Sequence, residues 1–315
     1  MRVVVTGATG FVGKALCVEF VAHGHAVVPA VRRASCLAGE VVVGDIDGAT
    51  DWTTALAACD AVVHLAARVH VMDDTAHDPL AQYRATNTDA TLNFARQAAQ
   101  VGVKRFVYIS TIKVNGEGRG TAYCETDAPA PGDAYAISKW EAEQGLQRIA
   151  GETGLEVVIL RPPLVYGPGV KANFRQLLRT VERGWPLPLG AIRNRRSLLY
   201  LGNLVDAIRL CVEHPAAAGQ TFLLDDGEAI STPELVRAVA SAMGRPARLL
   251  AMPVGVLELV GILLGKRAAV ARLTGSLYVD SSAIRSRLGW TPPYTLRQGL
   301  DATVAYVRGC QKEDR

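Results

Sequence analysis

Tyr135 and Lys139, four positions apart in Ala134-Tyr135-Ala136-Ile137-Ser138-Lys139-Trp140-Glu141, are the most chemically pointed pair in the sequence. On a helix that spacing sets both side chains on one face. A free phenol has a pKa of about 10, too high for efficient proton exchange near neutrality, and a neighbouring ammonium is expected to lower it. Upstream, Ile109-Ser110-Thr111 closes an apolar run, where a strand would deliver hydroxyl groups beside such a pair.

A second constellation lies near the N-terminus. Gly7-Ala8-Thr9-Gly10-Phe11-Val12-Gly13 has the spacing G-x-x-G-x-x-G, one residue away from the G-x-G-x-x-G dinucleotide fingerprint. Gly7 suits a tight turn, Gly10 a close backbone approach to a pyrophosphate, and Gly13 close packing of helix on strand, while the helix N-terminus offers free N–H groups to the anion. NAD sites usually carry an acidic residue at the end of the second strand, but here the chain reads Ala30-Val31-Arg32-Arg33. Two guanidinium groups and no carboxylate favour a 2′-phosphate, hence NADP, with NAD left open.

The elements that must position these residues alternate. Short apolar runs at 2–6, 26–31, 41–43, 61–65, 105–110 and 156–160 are separated by helical patterns, notably 10–23, 79–101 and 135–149. Continuous apolar strands suit a parallel sheet covered on both faces, and the rhythm predicts a doubly wound α/β fold with its ligand beyond the strands' carboxyl ends. After Tyr166 the pattern loosens into Gly/Pro-rich loops and a basic group, Arg193 to Arg196. The expected organisation is a Rossmann domain over 1–165 with a return segment near 198–225. A smaller mixed α/β substrate lobe would then comprise 166–197 and 226–315.

Bulk properties exclude several classes. With 49% hydrophobic and 20% charged residues and a net charge of only +4, the chain is neither disordered nor a coat for nucleic acid. Six scattered cysteines never form a C-x-x-C pair, which argues against a zinc site or disulfide framework and for a reducing compartment. Without a secretory leader pattern at the N-terminus, a cytoplasmic location is expected. Val254 to Leu264 is strongly apolar but falls short of the roughly 20 residues of a spanning helix. It reads as a buried helix. His70, Asp73, Asp74 and His77 read as a polar loop rather than metal ligands, and Cys124 as a loop residue.

Taken together, the glycine turn, Asp45-Ile46, Val63-His64-Leu65-Ala66-Ala67, Ser110-Thr111, Tyr135-x-x-x-Lys139 and the run Arg161-Pro162-Pro163-Leu164-Val165-Tyr166-Gly167-Pro168 resemble the extended short-chain dehydrogenase/reductases. The resemblance spans nearly the whole chain and is nearest the nucleotide-sugar epimerases, dehydratases and 4-ketoreductases. It implies that Thr111 holds the reacting oxygen, Tyr135 exchanges its proton, and Lys139 binds the nicotinamide ribose. It also implies that Asp45 and Ile46 flank the adenine, with Leu65, Ala66, Ala67 and Asn87 along the cofactor path and the Pro162 to Val165 backbone against the carboxamide. In the second lobe, Arg196 matches a position that contacts the phosphates of a nucleotide-diphosphate sugar, and Asn173 is a weaker candidate for the same site. By the same resemblance, the helices 79–101 and 133–153 pair in a homodimer.

Among the family's reactions, dehydration is disfavoured, because Ile112-Lys113 follows Thr111 where the dehydratases carry Asp-Glu. Asn115, in Thr111-Ile112-Lys113-Val114-Asn115-Gly116, replaces the tyrosine of the V-Y-G ending usual in epimerases. Together with Arg32-Arg33, this favours NADPH-dependent reduction of a UDP-linked 4-keto-6-deoxy sugar in surface-polysaccharide synthesis. The alternative is a UDP-hexose 4-epimerase with tightly bound NAD. Reduction of a non-sugar ketone and a non-enzymatic cofactor-sensing role remain open as further readings.

Overall fold

Uninterrupted apolar strands must bury both faces, and the computed structural model, which describes residues 1–69 and 78–313, assembles them into one seven-stranded parallel sheet. Its strands are β1 (Arg2–Thr6), β2 (Ala26–Val31), β3 (Val41–Val42), β4 (Ala61–His64), β5 (Arg105–Ile109), β6 (Glu156–Arg161) and β9 (Thr221–Leu223), in the order β3-β2-β1-β4-β5-β6-β9. The strand order changes direction between the parallel neighbours β1 and β4, where Thr6 sits opposite His64. In a doubly wound sheet that junction opens a crevice at the strands' carboxyl ends.

Strand alternation sorts the core into two layers. Val3, Val5, Val63, Val107 and Leu160 pack with Leu16 and Phe20 of α1 (Phe11–Ala22) and with Leu204 and Ile208 of α7 (Leu201–Glu213). Val4, Val62, Phe106 and Ile159 pack with Phe94 and Ala98 of α4 (Ala90–Gln100) and Leu146 and Ile149 of α5 (Ala134–Thr153). Trp52 closes this layer, stacked on Phe94 at 3.9 Å between ring centroids. Each such side chain stabilises the fold by about 1.5–3 kcal/mol, which is what fixes α5 and its reactive face against the sheet.

The helix expected over 79–101 is built in three parts: α3 (Pro79–Arg84), a π turn over Ala85–Asp89, and α4. Such π turns often accompany functional positions, and this one holds Asn87 fully buried. Within the return segment expected near 198–225, β9 joins the main sheet beside β6, whereas β8 (Leu198–Tyr200) pairs with β7 (Leu164–Tyr166) in a separate two-stranded sheet. A further core gathers Phe174 and Leu178 of α6 (Ala172–Glu182), Val236 and Val239 of α8 (Thr232–Ala242), and Leu300 and Val304 of α12 (Leu296–Glu313).

One expectation fails. The apolar stretch from Val254 forms α9 (Val254–Leu263), packed on α10 (Arg267–Thr274), yet only Leu257 and Gly261 of α9 are buried. Apolar composition says that a helix gains by leaving water, not which surface takes it out. No helix among the described residues is long and apolar enough to cross a membrane. His70, Asp73, Asp74 and His77 lie outside the described residues.

Candidate active site

The glycine turn, the Leu65–Ala67 loop, Thr111 and Pro162 follow the carboxyl ends of β1, β4, β5 and β6, the edge at which a doubly wound sheet opens its crevice. After β1 the chain turns through Gly7 at a φ of +67°, a left-handed conformation open to glycine, and an added Cβ there would come within 3.0 Å of the Ala66 amide nitrogen. At Gly13 a Cβ would fall 2.2 Å from the Gly7 carbonyl oxygen and 2.7 Å from Ala8 Cα. The first turn of α1 therefore lies directly on the β1 turn, and no side chain caps it at Gly10. Thr9 and Gly10 are exposed, and Phe11 and Val12 half-buried. Free first-turn N–H groups beside a cradle too tight for any side chain fit the diphosphate of a dinucleotide.

Behind the turn, the Thr6 hydroxyl accepts from the amides of Leu65 and Ala66, each at 3.1 Å, and bonds His64 Nδ1 at 2.8 Å. His64 Nε2 continues to Thr91 at 3.0 Å, and Thr91 donates to the Asn87 carbonyl at 2.8 Å. Burial, followed by the charge of Lys139, drives the His64 pKa down to about 3, so this imidazole is a neutral link. Asn87 in turn accepts from the Arg68 amide at 2.8 Å and donates to the Ser138 hydroxyl at 3.0 Å, joining the β4 loop, with Ala67, to the reactive helix.

Thr111, after β5, is 9% exposed and accepts from the Lys113 amide at 3.3 Å. The next amide, Ile112, donates to the Pro162 carbonyl at 3.1 Å, so the loops after β5 and β6 hold one another; Val165 then lies in β7. Asp133 caps α5 by accepting from Ala136 at 2.7 Å, and its other oxygen takes the Lys113 ammonium at 2.6 Å. Lys113, standing where dehydratases would need an acid, is thus tied to the N-terminus of the helix that carries Tyr135 and Lys139.

Lys139 is 2% exposed and donates to the Ile109 carbonyl at 2.8 Å. Burial lowers its pKa to about 7 against a partly compensating Glu143. Here the sequence expectation needs correction, because the Tyr135 pKa is raised, by burial first and then by Asp133 and Tyr83. The ammonium expected to acidify the phenol is itself desolvated and committed to a backbone carbonyl.

Sequence reasoning missed the polar floor beneath. Glu143, fully buried, receives the Ser110 hydroxyl and the Arg161 guanidinium, with Arg161 Nη2 at 2.5 Å. Arg161 also donates to Asn115 at 2.9 Å, and Asn115 donates to the Cys124 carbonyl at 3.1 Å. The available signal was a carboxylate four residues beyond Lys139, on the same helix face, and an arginine ending the apolar run 157–160.

The outlying candidates are more dispersed. Arg32 and Arg33 are exposed at the end of β2, and Arg32 lies 3.4 Å from Asp45, which is also exposed, while Ile46 is half-buried. Arg196 is held by backbone bridges to Ile230 and Leu277 and donates to the carbonyls of Arg272 at 2.6 Å and Gly275 at 3.2 Å. Asn173 is exposed in the first turn of α6, and no described contact joins it to Arg196.

A family model described as "NAD dependent epimerase/dehydratase family" matches residues 3–224. The chain is 48% identical, over 96% of its length and 94% of the relative's, to the UDP-glucose 4-epimerase of Vibrio cholerae. It is 28% identical, over 99% of its length and 97% of the relative's, to the N-acetyl-alpha-D-glucosaminyl-diphospho-ditrans,octacis-undecaprenol 4-epimerase of Escherichia coli O157:H7. Among solved structures, MoeE5 in complex with UDP-glucuronic acid and NAD superposes with a TM-score of 0.80 at 27% identity, covering 98% of this chain and all of that one.

Proposed function

The chain belongs to the NAD dependent epimerase/dehydratase family, and from that premise we propose that it is a UDP-hexose 4-epimerase using NAD. The reading rests on one conjunction: Thr111 after β5, Tyr135 and Lys139 on the helix that Lys139 ties to the end of β5, and a glycine cradle after β1, in a chain 48% identical to a UDP-glucose 4-epimerase. This reverses the order of preference drawn from the sequence, in which 4-ketoreduction came first.

The cradle residues Gly7, Thr9, Gly10, Phe11, Val12 and Gly13 hold the cofactor diphosphate, Asp45 and Ile46 its adenine end, and Leu65, Ala66, Ala67, Asn87, Pro162 and Val165 the path to the nicotinamide. A nicotinamide bound there would supply reversible hydride acceptance at carbon four of the sugar. As the phenolate, Tyr135 takes the proton of the carbon-four hydroxyl and returns it to the same oxygen once carbon four is inverted. Thr111 donates to the same oxygen where charge develops. Because burial favours the protonated phenol in the free chain, Tyr135 must give up its own proton before it can take one from the sugar, and the positive charge that favours the phenolate comes from Lys139 only while its amine is protonated. Arg196 binds the substrate diphosphate, with Asn173 the weaker candidate for the same site, and a homodimer forms by pairing of the helices over 79–101 and 133–153.

A second reading is favoured by one observation. Arg32 and Arg33 stand exposed at the end of β2, where a 2′-phosphate would be welcome, which keeps NADPH-dependent 4-ketoreduction in view. Incubating the purified chain with UDP-glucose and, separately, with a UDP-linked 4-keto-6-deoxy sugar plus NADPH separates the two. Epimerisation gives UDP-galactose from the first without consuming added cofactor; oxidation of NADPH by the second alone replaces the epimerase reading with the reductase.

A further inference from the structure

α9 is apolar on two opposite faces. Leu257 and Gly261 face α10 and the core, and at Gly261 an added Cβ would fall 2.6 Å from Val270 Cγ2, so the two helices form a close hairpin. Val256, Leu259, Val260 and Leu263 follow the i, i+3, i+4, i+7 spacing of a second stripe, and they are 44%, 58%, 43% and 76% exposed. The turn into α10 carries Leu264, Lys266 and Arg267, all exposed. Leading into α9, Arg248 and Leu250 bracket a backbone pairing with Leu187 and share one exposed side of an extended segment. On the partner segment Trp185 is exposed, with the Arg183 guanidinium 5.3 Å from its ring.

Charge identifies what would cover this surface. From Arg248 to Gly275 the chain carries four cations, Arg248, Lys266, Arg267 and Arg272, against the single acid Glu258. Apolar stripe and flanking cations together match the phosphates and acyl boundary of an anionic bilayer, where amphipathic helices lie in the plane of the interface. At ten residues, α9 is too short to span one.

We propose that the α9–α10 hairpin docks the protein onto an anionic phospholipid surface, with Val256, Leu259, Val260 and Leu263 inserted below the headgroups and Lys266, Arg267 and Arg272 over the phosphates. Docking would also orient the substrate lobe. The end of α10 holds Arg196 through the Arg272 and Gly275 carbonyls, and Asn194 donates to the Leu273 carbonyl at 3.1 Å. The residue proposed for the sugar diphosphate is thereby fixed to the membrane-facing hairpin.

Co-sedimentation of the full chain with vesicles of phosphatidylglycerol and phosphatidylethanolamine, against phosphatidylcholine alone, tests this without any assay of activity. The expected result is binding to the anionic vesicles that weakens with added salt. Leu259→Glu combined with Leu263→Glu should cut that binding by at least about tenfold while leaving the thermal midpoint and the turnover of a water-soluble UDP-sugar unchanged. Failure of the wild-type chain to sediment with anionic vesicles, equal binding to phosphatidylcholine, or undiminished binding by the double variant would each overturn the proposal. Self-association that the double variant abolishes, without lipid binding, would assign the stripe to a second copy of the chain instead.

Discussion

The ammonium of Lys139 donates to the carbonyl oxygen of Ile109 at 2.8 Å, binding the reactive helix to the carboxyl end of β5. The bond holds a cation in a place that burial makes costly for it.

That cost has a pH signature. The folded chain releases the Lys139 proton near pH 7, against an ordinary value of 10.5, so between those values the unfolded chain binds more protons and stability rises with pH. The penalty is full below about pH 7 and fades towards pH 10.5. In the cofactor-free protein, Lys139→Met should therefore raise the thermal midpoint relative to wild type most at or below neutrality, with the gap narrowing as pH rises. A gap that widens with pH would contradict the burial argument.

Removing the phenol oxygen isolates the proton step. Tyr135→Phe should lower sugar turnover on the order of a hundredfold or more and leave cofactor content, measured after denaturing the purified protein, as in wild type. Near-normal turnover would take Tyr135 out of the mechanism.

The cradle offers a purely steric test. A methyl group at Gly13 would sit 2.2 Å from the Gly7 carbonyl oxygen, and since backbone cannot swing aside as a side chain can, α1 must move. Gly13→Ala should destabilise the fold by about 1–3 kcal/mol and abolish dinucleotide binding, read by denaturant unfolding and by calorimetric titration with NAD.

The polar floor should respond asymmetrically. Glu143→Ala strands the buried Arg161 guanidinium and is expected to cost about 3–5 kcal/mol. Glu143→Met combined with Arg161→Met removes both charges and should recover much of that loss in denaturant unfolding.

What was legible in the sequence follows from what local chemistry can encode. Apolar strands such as Ala61–His64 and the glycine turn announce a doubly wound sheet, because period and backbone freedom are local properties. The pair Tyr135 and Lys139 was visible for the same reason: helical spacing fixes a shared face. The sign of the Tyr135 shift was not, since it depends on how deeply α5 is buried and on the Ile109 carbonyl that takes the ammonium. Nor were the Glu143–Arg161 pair or the outward stripe of α9, which arise only when distant segments meet or fail to meet. The preference for reduction over epimerisation leaned on Arg32, Arg33 and Asn115. Asn115 proves to be engaged with Arg161 and the Cys124 carbonyl, a structural role that says nothing about which reaction follows.

In the proposed epimerase, hydrogen leaves carbon four of a UDP-hexose and comes back to the same carbon within one binding event. UDP-glucose deuterated at that carbon measures it directly, by mass spectrometry of the sugar formed. The expected product is UDP-galactose that keeps its deuterium, with no added nicotinamide consumed; a product that has exchanged its deuterium for protium, or no UDP-galactose at all, would rule out the proposed epimerase.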